Sequence, residues 1–178
     1  MIPNCAASRH IHFSLDGTGP AEFELPSMDD WPDITWEAAE NTRHVDLDNI
    51  SADDIAEWQP GETLLLSGHL LTGRDAAHKK IADLLNNGQS LPDGLDFNNR
   101  FIYYVGPVDP VKGEIVGPAG PTTATRMDKF TDMMLEQTGL LGMIGKAERG
   151  DETVASIKQH HSVYLIAIGG AAYLVSKA

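Results

Sequence analysis

Apolar residues along this chain fall into short blocks, and the blocks become regular only after residue 42. Arg43 to Leu47, Thr63 to Ser67, Phe101 to Val105, Leu140 to Ile144 and Val163 to Ile168 read as strands. Most are brief runs of leucine, aromatic or β-branched residues flanked by glycine, proline or charge. Between them the period changes to that of a helix. Ala77, Ile81, Leu84 and Leu85 share one face of a segment from Arg74 to Leu85, and Gly88 is placed to stop it. Met127 to Thr138 carries Phe130 and Met134 at helical spacing and ends at Gly139. Ser51 before Asp53 and Asp54 marks the capped start of a short helix that Pro60-Gly61 ends. Asp151 to Gln159 predicts another helix, Gly68 to Gly73 reads as a turn, and Gly169-Gly170 opens a last amphipathic stretch. Strand and helix alternate, which predicts an α/β fold with helices packed on a mostly buried sheet.

Residues 1–42 behave differently. Prolines at 3, 20, 26 and 32 interrupt them, and only a short piece such as His10-Ile11-His12-Phe13 alternates. We read 1–42 as an irregular lead-in or interdomain segment, pinned onto the rest by Trp31 and Trp36. Residues 43–178 then form one domain. A chain of 178 residues can bury roughly 70% of its unfolded surface, enough for a single core. The last residues, Val175 to Ala178, end inside a helical pattern without a cap, which suggests a fragment boundary.

Charge narrows the partners. Thirteen basic residues against 26 acidic ones give a net charge of −13, which argues against nucleic acid and anionic membrane surfaces. The N-terminus lacks a basic stretch leading into an apolar one, and no run of about 18 apolar residues exists. One cysteine, Cys5, excludes an internal disulfide framework and fits a reducing compartment. The expectation is a soluble, cytoplasmic protein.

The candidate chemistry centres on Gly117-Pro118-Ala119-Gly120-Pro121-Thr122-Thr123-Ala124-Thr125-Arg126-Met127-Asp128. Two Gly-Pro pairs stiffen a turn, threonines follow, and an arginine opens a helix whose free N–H groups and dipole suit an anion. The same residues also suit a plain rigid turn before a helix. Gly73-Arg74 and Gly145-Lys146 stand, like this loop, just beyond predicted strands, where α/β sheets bind ligands. Two arginine forks and a lysine match the two carboxylates of a small dicarboxylate. Asp75 reads as a helix cap, and His78 as either a general acid or a polar surface residue of the first turn. Cys5, His10 and His12 fit no usual zinc spacing and a fourth ligand is not evident; a lone cysteine can instead donate one thiolate to a cluster whose other ligands lie elsewhere. His160-His161 reads as a solvated loop pair.

Six ordered stretches together resemble the iron–sulfur dehydratases of the class I fumarase and tartrate dehydratase family, in their carboxy-terminal (β) region. They are Ile2 to His10, Leu71 to Lys79, Tyr104 to Pro110, Gly117 to Asp128, Gly145-Lys146-Ala147 and Gly169 to Ala172. The resemblance implies a swivelling β/β/α domain that works against an N-terminal cluster-binding (α) domain, in an enzyme expected to be a homodimer. It implies reversible hydration of fumarate to L-malate on a [4Fe–4S] cluster held by three cysteines, with Cys5 as the third ligand. Arg74, Arg126 and Lys146 would clamp the carboxylates, with Thr123 and His78 beside them, and Thr122 would accept the proton leaving carbon. The chain departs from the family in holding one cysteine and in stopping short of the family's usual carboxyl end. The isolated polypeptide is therefore expected neither to hold a stable cluster nor to turn over. An L-tartrate dehydratase β part, or a non-catalytic anion-binding or assembly module, are the alternatives.

Overall fold

The structure, a computed structural model, describes residues 16–18, 40, 42–110, 112–113, 115–168 and 172. Most of the lead-in, including Cys5, Trp31 and Trp36, and nearly all of the last amphipathic stretch lie outside the described residues. In chain order the elements are β1 (Arg43–Asp46), α1 (Ala52–Ala56), β2 (Leu64–Ser67), β3 (Leu71–Thr72), α2 (Asp75–Asn86), β4 (Phe101–Tyr103), a 3-10 turn (Ala124–Met127), α3 (Asp128–Thr138), β5 (Gly142–Gly145), α4 (Asp151–Gln159) and β6 (Val163–Ile166).

Local chemistry accounts for the boundaries. Ser51 caps α1 in a reciprocal box with Asp54, whose backbone N–H reaches the serine hydroxyl while its carboxylate takes the Ser51 N–H. α2 closes where Gly88, at φ +67°, and Gln89 donate back to Leu85 and Leu84. α3 stops at Gly139 in the left-handed region. Leu71–Thr72, read from sequence as part of a turn, is instead a strand: Leu71 pairs with Ile102 and Thr72 with Tyr103. Two residues are too few to show an alternating pattern, so only the pairing identifies them.

Both sheets are parallel, β1 with β2, and β3-β4-β5-β6 in consecutive order. β4 shows how the layers stack, because its side chains alternate between two cores. Ile102 and Tyr104 face Ile81 of α2, Met134 and Leu135 of α3, and Met143. Phe101, Tyr103 and Val105 face Leu47, Ile55, Trp58 and Leu66 on the side of the small sheet and α1. The chain is thus layered as a two-stranded sheet, a four-stranded sheet and helices. Because the large sheet is all parallel, every one of its strands delivers its carboxyl end to the same edge.

Candidate active site at the carboxyl edge of the sheet

The Gly117 to Asp128 segment enters the sheet at that edge. Beyond Tyr103 and Gly145 the neighbouring strands part, and residues 122–124 wedge between them. Thr122 N–H donates to the Tyr104 carbonyl at 2.7 Å, Lys146 N–H to the Thr122 carbonyl at 3.1 Å, and Ala124 N–H to the Lys146 carbonyl at 2.9 Å. Thr123 and Lys146 thereby form a parallel bridge. A carbon on Gly145 would lie 3.0 Å from Tyr104 and 3.3 Å from the Thr122 carbonyl, so only glycine lets the wedge seat this closely.

The two Gly-Pro pairs hold the approach to the wedge. Gly117 and Val108 are pinched together, with Gly117 N–H donating to the Val108 carbonyl and Val108 N–H to the Pro118 carbonyl, each at 3.1 Å. A carbon on Gly117 would strike the Val108 carbonyl oxygen. The Tyr103 hydroxyl fixes the next residue by donating to the Ala119 carbonyl at 2.9 Å. Its pKa is pushed up to about 12 by burial, so it stays a neutral donor.

Arg74 leaves β3 through Gly73, whose N–H donates to the Tyr103 carbonyl. Its guanidinium lies against Gly106, where an added carbon would sit 3.1 Å from Nε and 3.2 Å from Cζ. Arg126, in the 3-10 turn, grips Asp75 through both Nε, at 3.1 Å from Oδ1, and Nη2, on Oδ2. Asp75 is therefore no helix cap. Its carboxylate is taken by Arg126, and Arg74 at the N-cap position supplies no side-chain cap either. These contacts close a ring: Lys146 to Thr122–Ala124, on to Arg126, across to Asp75 and Arg74, and through Gly106 and Tyr104 back to Thr122.

A second tier supports the ring from inside. Thr125 Oγ1 donates to the Glu148 carbonyl at 3.0 Å. Arg149, its side chain 1% exposed, donates from Nε to Asp128 Oδ1 at 2.6 Å, while Gly150 N–H donates to Asp128 Oδ2 at 2.9 Å. Arg149 also donates from Nη2 to the Thr131 hydroxyl and lies 5.6 Å and 5.0 Å from the ring centres of Tyr104 and Tyr164. The segment carrying Arg126 is thus bolted to the one carrying Lys146. Between Lys146 and Arg149, Ala147 sits at φ +65°, a conformation held as the Tyr164 hydroxyl donates to its carbonyl at 2.8 Å. Burial raises the Tyr104 hydroxyl and pushes Tyr164 up to about 12.

Sequence reasoning missed Arg149. An arginine between glutamate and glycine near a helix start reads as surface, and its only signal was Asp128 twenty-one positions upstream.

His78 sits beneath the ring. It is 1% exposed, so the surface reading is corrected: its ring packs edge-on to Tyr104 at 5.4 Å and against Phe130 at 5.9 Å. Nδ1 lies 3.0 Å from the Arg74 carbonyl, which makes it the protonated nitrogen, and the buried Nε2 has no partner among the described residues. Burial pulls its pKa below the ordinary histidine value, keeping the ring neutral. His160, read as half of a solvated pair, has Nε2 3.3 Å from Asp132.

Arg74, Thr122, Thr123, Arg126 and Lys146 therefore share one edge, His78 lies under it, and Cys5 falls outside the described residues. Among those residues no group of three or more His, Cys, Asp and Glu could hold a metal ion, and no helix is long and apolar enough to cross a membrane.

A parallel α/β sheet with threonines and cations gathered at its carboxyl edge carries them where open α/β domains bind their ligands. The comparisons define it further: the chain belongs to the family described as Fumarase C-terminus, whose sequence profile matches residues 17–178. It is 32% identical over 184 residues to fumarate hydratase 2 of Leishmania major, covering 99% of this chain and 32% of that protein. It is 30% identical over 183 residues to the aerobic class I fumarate hydratase of Salmonella typhimurium, covering 99% and 31%. A Methanocaldococcus jannaschii protein provisionally named L(+)-tartrate dehydratase subunit beta is 29% identical over 134 residues, covering 74% and 68%. The chain spans about a third of the length of these fumarate hydratases.

Proposed function

We propose that this chain is the carboxy-terminal part of a hydro-lyase that reversibly hydrates fumarate to L-malate, and that the ring at the carboxyl edge is its dicarboxylate cradle. The observation that carries the reading is the wedge of residues 122–124 between β4 and β5, which sets Thr122, Thr123 and Lys146 side by side. In this reading Arg74, Arg126 and Lys146 hold the two substrate carboxylates, with forked hydrogen bonds from the arginines and a point charge from the lysine. Thr123 orients the substrate. Thr122 accepts the proton released from carbon during dehydration. A threonine hydroxyl is too weak an acid to supply its own base form near neutral pH, so the charge of Lys146 must lower that cost. His78 supports Arg74 from below rather than touching the ligand.

A [4Fe–4S] cluster supplies Lewis-acid chemistry at the substrate hydroxyl when bound. With Cys5 as one ligand, this chain has only one of the three thiolates such a cluster takes, so its own residues alone do not fit the group. The remaining ligands would come from an N-terminal (α) domain, against which the layered β/β/α unit would swivel. The whole enzyme is read as a cytoplasmic homodimer.

Calorimetric titration of the chain with L-malate tests the cradle. Binding that disappears in Arg74→Ala/Arg126→Ala/Lys146→Ala supports it, whereas binding that survives all three changes refutes it. Anaerobic cluster reconstitution of the chain alone should give no substantial fumarase turnover. The match to the tartrate-type β subunit favours L-tartrate dehydration as a second reading. Turnover of fumarate against that of L-tartrate by the chain joined to its cluster-binding domain separates the two.

A further inference from the structure

Among the described residues Asp75 is the one carboxylate built into the ring of cations; it is not the helix cap that the sequence suggested, and the proposed cradle gives it no task. Its geometry is specific. Asp75 opens α2 directly after Arg74, and both of its oxygens are engaged by Arg126, Oδ1 by Nε and Oδ2 by Nη2. A guanidinium offers two forked edges to a carboxylate, Nε with Nη2 and Nη1 with Nη2. Asp75 fills the first, which leaves only the Nη1 edge for a ligand.

The charge count points the same way. Arg74, Arg126 and Lys146 carry three positive charges, and a dicarboxylate carries two negative ones. With Asp75 in the ring, two positive charges remain uncompensated. A ligand with a third carboxylate would meet Asp75 rather than a free cation, and repulsion between like charges at close range discriminates strongly.

Resting on the dicarboxylate reading above, we propose that Asp75 is a specificity-determining positioning residue: it fixes the edge of Arg126 that faces the ligand and sets the ring to accept a dianion over a trianion. Asp75 acts through Arg126 and not on the reacting atoms. The half-exposed state of both side chains, 52% for Arg126 and 41% for Asp75, leaves them open to an arriving anion.

The test is calorimetric titration of the full chain at about pH 8 with two probes, L-malate as dianion and propane-1,2,3-tricarboxylate as trianion. The wild-type chain is expected to prefer malate. Asp75→Asn, which keeps the size and drops the charge, is expected to shift the ratio of affinities toward the trianion by about tenfold, the change of one decade that a single close charge contributes. Asp75→Glu, which keeps the charge, is expected to retain the malate preference. A loss of folding alone would weaken both probes together, and far-ultraviolet circular dichroism checks it. If malate binds and the ratio is the same in Asp75→Asn as in the wild type, the role of Asp75 is refuted while the cradle stands. If the wild-type chain binds neither probe, the dicarboxylate reading falls and this inference with it.

Discussion

Replacing Arg149 by methionine would test whether the rim is held from inside. The arginine side chain is 1% exposed and that of its partner Asp128 is 18% exposed. Methionine keeps most of the aliphatic stem but removes the charge, leaving the Asp128 carboxylate with Gly150 N–H as its donor. Breaking one side of a buried ion pair costs about 3–5 kcal/mol, because the surviving charge stays out of water uncompensated. Loss of the guanidinium's position beside Tyr104 and Tyr164 adds roughly 1 kcal/mol. Against a total stability of about 5–15 kcal/mol this is a large share. With a urea dependence of about 2 kcal/mol per molar, the midpoint should fall by roughly 2–3 M. Tryptophan emission is a suitable signal, since Trp58 packs 6.3 Å from the Phe101 ring on the sheet. A midpoint within about 0.5 M of the wild type would refute the argument. The double change Arg149→Met/Asp128→Asn sharpens it: with no charge left unpaired, its cost should fall short of the summed single costs by at least about 1 kcal/mol. Simple additivity would mean that the two side chains touch without depending on each other.

Two further outcomes follow from the same geometry. The folded state holds His78 below its ordinary value of 6.5, so the unfolded chain takes up this proton first and stability is lost as pH falls through about 6.5 toward the folded value. His78→Leu should flatten the stability profile between about pH 7 and 5, and urea midpoints whose pH slope is unchanged would count against a neutral buried ring. Gly117→Ala drives a methyl group into the Val108 carbonyl, with the Asp109 carbonyl 2.7 Å away. Both contacts are to backbone, which leaves little room to yield, so a cost of about 1–3 kcal/mol is expected, visible as a melting point lower by roughly 5 °C together with weaker malate binding. A wild-type melting point would show that the pinch is looser than described.

The layers were legible in the sequence because they rest on local signals. Blocks such as Phe101 to Val105 and Val163 to Ile168 overlap the strands found, and Asp151 to Gln159 is a helix with those bounds. Ser51 and Gly139 mark ends because capping is a matter of a few neighbouring residues. What escaped depends on partners distant in the chain. Leu71–Thr72 is a strand only because β4 lies beside it. Asp75 looked like a cap, since nothing near it in sequence announces Arg126. His78 carries the polarity of a surface residue, yet Tyr104 and Phe130 enclose it. The gathering of Arg74, Thr122, Arg126 and Lys146 was anticipated from strand ends and glycines, whereas Arg149 beneath them was not.

The consecutive order of the large sheet also bears on how the molecule is made. Each of β4, β5 and β6 pairs with the strand that precedes it in the chain, with no strand left to be inserted later between two others. Chain closure therefore spans a single intervening connection at each step, which costs less entropy than pairing across a skipped strand would. As the polypeptide leaves the ribosome, Arg74 is laid down first, the strut of residues 122–124 must wait, and the arrival of β5 with Lys146 locks it. The edge waits on β6 for its last support, because the Tyr164 hydroxyl holds the Ala147 carbonyl next to Lys146.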